Sequence, residues 1–105
     1  MGDPVTDPAR TDSRLLRLAD GDNVLIVRQP IPGGSEYMVD GVAATTPADL
    51  PIGFKVAGTD FQPDDVAIRL GMPIGRATAP IRRGELIHTH NLASLYMRTH
   101  GLGEA

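Results

Sequence analysis

The sequence predicts a small, compact all-β domain built from short, strongly bent strands. Three observations carry that reading. Twelve Gly and nine Pro punctuate 105 residues, so no window between Gly21 and Asn91 is free enough of them to hold a long helix. Short apolar, β-branched runs recur, led by Val24-Leu25-Ile26-Val27. A four-fold pattern also repeats, in which a large apolar residue is followed by a turn and then a strand-like run: Ile31 to Gly34, Leu50 to Gly53, Phe61 to Asp64 and Ile81 to Gly84. These units are too short and too irregularly spaced for a solenoid, and read as turn-plus-strand units folding back on one another.

Taken in order, residues 1–13 read as a disordered leader. Asp3, Pro4, Asp7, Pro8 and Asp12 leave too little apolar surface to offset the entropy of ordering. Arg14 to Leu18 is a first strand or a short turn of helix. Gly21-Asp22-Asn23 is turn chemistry ahead of the Val24–Val27 strand, which Pro30 and Pro32 end. Gly71, Pro73 and Gly75 set a bent hairpin flanked by Arg69 and Arg76. Residues 14–92 form the domain. Residues 93–105 form a tail, with Leu95, Tyr96 and Met97 placed for a helical turn or two or for an arm docked on a partner.

Length allows one domain. Aromatic residues make up only 4% of the chain, so Val, Ile, Leu, Ala and Met must build the core. A core that thin does not enclose a deep private pocket, which puts any small-molecule site at an edge or an interface. A net charge of −3 with scattered cations argues against nucleic acid as a partner. The Arg82-Arg83 doublet reads as a solvated turn. With no cysteine, disulfides, thiolate metal sites and cysteine nucleophiles are excluded. The longest apolar run, Val24–Val27, is far too short to span a membrane, and the first residues contain no signal peptide. A cytoplasmic location is the expectation.

One segment looks like chemistry: His88-Thr89-His90-Asn91. If it continues a strand, the two imidazoles share a face about 6.5–7 Å apart. That spacing lets both converge on one metal ion, with Asn91 supplying or orienting an oxygen. Two ligands are too few for a closed structural site, and an open one is what Lewis-acid chemistry requires. An ordinary exposed strand face is the competing reading. Lys55, the only lysine, is a candidate catalytic base or carboxylate contact; a lysine guarding an edge strand is the alternative. Arg76 is a candidate clamp for an acid substrate, and His100 stands alone in the tail.

The motifs Asp22-Asn23-Val24, Leu50 to Ala57, Gly71-Met72-Pro73-Ile74-Gly75-Arg76-Ala77 and Gly84 to Asn91 occur in that order. Together they resemble the SAF-type domain at the N-terminus of altronate and galactarate dehydratases. The same domain also occurs as a separate small subunit, and the sulfolactate sulfo-lyase small subunit is a close relative. The resemblance implies a β-clip fold, a sugar-acid pathway and a separate large dehydratase subunit as partner. It also implies a divalent metal, Fe2+ or Mn2+, with His88 and His90 at the shared site. The implied reaction removes water from a hydroxylated sugar acid to give a 2-keto-3-deoxy acid. Such chemistry needs a base for the proton α to the carboxylate and a Lewis acid for the enediolate. Two departures stand out. Gly53-Phe54-Lys55 replaces the family's usual Gly-His-Lys, and Leu70 stands where an aromatic residue is common. They mark a divergent subfamily acting on another acid, or a non-catalytic binding and assembly module; a sulfo-lyase subunit is a third reading. Exposed strand edges also leave homo-oligomerisation open.

Overall fold

Nine short strands, all paired antiparallel, make up the regular structure of the computed structural model, which describes residues 7 and 9–94. The central sheet has the order β1 (Leu15–Leu16), β2 (Val24–Val27), β5 (Lys55–Ala57) and β8 (Leu86–Ile87). A hairpin of β3 (Glu36–Val39) and β4 (Val42–Thr45) follows β2. A second hairpin of β6 (Val66–Arg69) and β7 (Met72–Ala77) follows β5 and is extended by β9 (Leu92–Ser94). Among the described residues no helix is long and apolar enough to cross a membrane.

Strand alternation decides which core each residue enters. Leu25, Val56 and Leu86 are cross-strand neighbours, and they pack with Leu15, Val27, Tyr37, Val39 and Ala44. Val24 and Ala57 point the other way and pack with Ile87, Ala67 and Ala77, with Ile74 and Leu92 at the margin. The central sheet is therefore the middle of three layers, with one hairpin on each face. That explains why β2 reads as an unbroken apolar run: both of its faces are covered.

The four repeated units each have a defined job. Ile31 exchanges two backbone hydrogen bonds with Leu50, and Phe61 does the same with Ile81, closing the base of each hairpin. All four side chains are essentially fully buried. The fourth residue of each unit, Gly34, Gly53, Asp64 or Gly84, has φ between 75° and 88°, which favours glycine. Gly84 is constrained twice over. A Cβ there would sit 2.6 Å from the Tyr37 hydroxyl and 2.7 Å from Ala44 Cβ. Its carbonyl accepts the buried Tyr37 O–H, which ties the first hairpin to the turn before β8.

Both hairpins use two-residue turns with positive φ at each central residue: Asp40-Gly41 and Leu70-Gly71. Asp-Gly suits that geometry, whereas leucine at φ 55° is strained. Buried Asp22 supports the strained turn, since its carboxylate accepts the amides of Leu70 at 2.8 Å and Gly71 at 2.9 Å, and that of Ala19 at 3.1 Å. Residues 10–12 of the expected leader hydrogen-bond to the first hairpin. Asp12 N–H donates to Met38 O, Gly41 N–H donates to Arg10 O, and Thr11 exchanges bonds with Asp40. At the other end Leu92, Ala93 and Ser94 are strand, paired with Ala77, Arg76 and Gly75. The helical turns expected over Leu95–Met97 lie outside the described residues.

Candidate functional site

The strand placement predicted for His88 and His90 is corrected by the structure. β8 ends at Ile87, and His88-Thr89-His90-Asn91 is a tight turn leading into β9. Asn91 is the cause. Its side-chain oxygen accepts the His88 amide at 3.0 Å and its NH2 donates to the Leu86 carbonyl at 2.9 Å. The His88 carbonyl then accepts the amides of Asn91 and Leu92, both at 3.0 Å. A local side-chain bond of this kind competes directly with ladder pairing and ends the strand.

The turn still brings the imidazoles together. Their Nδ1 atoms are 2.9 Å apart, the ring centroids 3.8 Å apart, and both rings are exposed. At that distance one nitrogen holds the proton and the other accepts it. Two ligands at a metal–nitrogen distance of about 2.0–2.1 Å are separated by roughly 2.9–3.4 Å for right-angle to tetrahedral geometry. The pair therefore has the spacing of two adjacent ligands on one ion. Among the described residues no group of three or more His, Cys, Asp or Glu gathers anywhere. What the described residues present is a pair of closely spaced imidazoles.

The other predicted site residues fall as follows. Asn91 is buried, and both ends of its amide are engaged by backbone, so it holds the turn that aims the imidazoles. Lys55 lies on β5 with Ile26 on one side and Ile87 on the other. It stands on an interior strand, not at the edge that the alternative reading required. Phe54, the residue before Lys55, is 44% exposed. Arg76 sits in the second hairpin opposite Ala93, where its guanidinium donates to the Asp64 carbonyl at 3.3 Å. The described contacts bring His88, His90 and Asn91 together, with Lys55 beside them through the strand register and Arg76 apart.

A shallow cleft of about 270 Å3 opens beside the histidines, walled by Thr46, Pro47, Ala48 and Glu85. A second, of about 370 Å3, runs between β4 and the Ile81–Glu85 turn, and Pro47 and Glu85 belong to both. Sequence reading missed this second cleft because its walls, Val42 to Pro47 and Arg82 to Glu85, are far apart along the chain. The available signal was the Arg82-Arg83 doublet. Burial, joined by the charges of Glu85 and Asp12, pushes the Tyr37 hydroxyl up to about 12. It therefore remains a donor to Gly84 and does not serve as a base.

Comparison with known proteins fits this geometry. Residues 13–95 match the family model described as "Altronate/galactarate dehydratase SAF domain". The chain is 33% identical over 76 residues to altronate dehydratase of Bacillus subtilis (strain 168), covering 72% of this chain and 15% of that protein. It is 37% identical over 70 residues to altronate dehydratase of Escherichia coli (strain K12), covering 67% of this chain and 14% of that protein. Over 43 residues it is 42% identical to (2R)-sulfolactate sulfo-lyase subunit alpha of Chromohalobacter salexigens, covering 41% of this chain and 46% of that subunit. The chain thus spans about one-seventh of the length of the dehydratases it matches. Since the matched stretch contains every strand from β1 to β9, this chain belongs to the altronate/galactarate dehydratase SAF-domain family.

Proposed function

We propose that this chain is the SAF-domain component of a cytoplasmic acid lyase, acting with a larger catalytic chain on a hydroxylated sugar acid. The observation that carries the reading is the 2.9 Å approach of two exposed imidazole nitrogens on a turn locked by Asn91. His88 and His90 would hold a divalent ion such as Fe2+ or Mn2+, the larger chain supplying the remaining ligands. When bound, the ion supplies Lewis-acid polarisation of substrate oxygens. This chain's own part is to orient the imidazoles and to present the cleft walled by Thr46–Ala48 and Glu85 to the acid. Lys55, on the neighbouring strand, is a candidate base for the α-proton, and Arg76 a candidate contact for the acid from the second hairpin. Elimination of sulfite from a sulfonated acid, in place of water, is the second reading, favoured by the likeness to the sulfo-lyase subunit, nearly half of which the match covers.

The test is reconstitution with the larger chain. Substituting both histidines, His88→Ala with His90→Ala, is expected to abolish turnover while the two chains still co-purify. In the isolated chain the same double substitution is expected to remove Mn2+-induced broadening of the amide signals from His88 to Leu92. Full turnover in the double variant, or broadening that survives it, would remove the histidines from the site.

A further inference from the structure

The cleft between β4 and the Ile81–Glu85 turn has walls that the histidine site does not use. Arg82 and Arg83 both line it. Their backbone amides are capped by carboxylates: Arg82 N–H donates to Glu85 Oε1 and Arg83 N–H to Asp60 Oδ1, each at 2.8 Å. Their guanidinium groups, by contrast, have no hydrogen-bond or ion-pair partner among the described residues. Two other arginines are tied to the chain's own acids, Arg14 to Asp12 at 2.8 Å and Arg17 to Asp40 at 2.9 Å. In the cleft, the two nearby carboxylates cap backbone and leave the guanidinium forks free. Such forks match a carboxylate or sulfonate in a planar, two-point contact.

The turn that carries them is held rigidly. Gly84 accepts the buried Tyr37 hydroxyl and donates its own amide to Ala57 O at 2.7 Å. Arg82 and Arg83 are therefore fixed relative to β4. Pro47 and Glu85 line both this cleft and the one beside His88 and His90, so the two are neighbours. At about 370 Å3 the arginine-lined cleft is of a size that takes a small molecule.

We propose that Arg82 and Arg83 form an anion subsite that binds the acidic end of a small hydroxy acid, whose hydroxylated end extends toward the His88–His90 turn. The assignment rests on the proposed function for the direction of the ligand, but its anion site is testable without turnover. The probe is L-tartrate, titrated into the full 15N-labelled chain at low salt, with erythritol as the uncharged control. Tartrate should produce saturable shifts in the amides of Arg82 to Glu85 and of Val42 to Thr45, and erythritol none. The affinity should fall at least five-fold in Arg82→Gln with Arg83→Gln, recover in part in the paired Lys variants, and weaken as salt screens the charges. Unshifted Tyr37 and Gly84 signals without ligand would show that the variants fold. Equal tartrate binding by the paired Gln variant, or shifts confined to other regions, would overturn the subsite. Mn2+ broadening at His88 to Leu92 reports on the histidine reading separately, so either reading can fail alone.

Discussion

Asp22 is the residue whose removal the structure prices most directly. Its Oδ1 accepts Gly71 N–H, and its Oδ2 accepts both Leu70 and Ala19 N–H. Asparagine can turn its oxygen toward the pair at Oδ2, losing one bond and setting an NH2 against the Gly71 amide. At about 1.5–3 kcal/mol for a hydrogen bond to a charged acceptor, Asp22→Asn should cost roughly 2–3 kcal/mol. Asp22→Ala leaves all three amides without an acceptor and Leu70 without support at its strained φ of 55°, so roughly 3–5 kcal/mol is expected. Burial works to raise the pKa of this carboxyl, but the amides of Gly71, Leu70 and Ala19, with the charge of Arg17, outweigh it and hold it below its ordinary 3.8. The sign follows from linkage. A depressed folded-state pKa contributes stability that is fully present above the unfolded value and is lost as pH falls through the folded one. Urea unfolding should therefore show a constant gap between the parent and Asp22→Asn from pH 7 to about 5, closing below about pH 4. Amide exchange at Leu70 and Gly71 should accelerate in both variants. A gap under 0.5 kcal/mol at pH 7, or one that widens in acid, would refute the reasoning (roughly the scale of a surface substitution).

Two further predictions concern the site. Asn91→Ala removes a donor and an acceptor from a buried position, so it should cost about 2–3 kcal/mol in urea unfolding. It should also weaken Mn2+ binding several-fold although the histidines are untouched; unchanged Mn2+ affinity would deny Asn91 its positioning role. Phe54→His puts an imidazole beside Lys55, whose register partner Ile87 directly precedes His88, at the position the resemblance assigns to histidine. A third nitrogen should raise Mn2+ affinity of the isolated chain by tenfold or more in calorimetric titration. An unchanged affinity would mean that residue 54 does not face the histidine pair.

Much of the fold was legible because it depends on local chemistry. Glycine and proline spacing excluded helices, and the repeated apolar-turn-strand unit marked the four buried residues that close the hairpin bases. Four motifs in order, of which His-Thr-His-Asn is the most specific, carried the resemblance to the family. The conformation of the histidine segment was not legible. His-x-His has strand spacing, but a single buried amide, Asn91, bonds back to Leu86 and His88 and bends the chain. Its side chain reads as polar and available until its backbone partners are known. Lys55 carried the opposite ambiguity, because a lysine in a short apolar run suits an edge, and only strand order places β5 between β2 and β8.

The sequence by itself determined the fold class, the family and the identity of the two imidazoles, since each depends on residue type and near-neighbour spacing. Tertiary structure alone decided which groups meet. The central sheet became the middle layer because alternate residues of β2 and β5 feed opposite cores. Asp22 came to hold a turn far along the chain, and Arg82 and Arg83 came to line a cleft with β4 that neighbours the one beside the histidines. Those relations join residues separated by whole hairpins, and they arise from long-range strand pairing that no local pattern specifies.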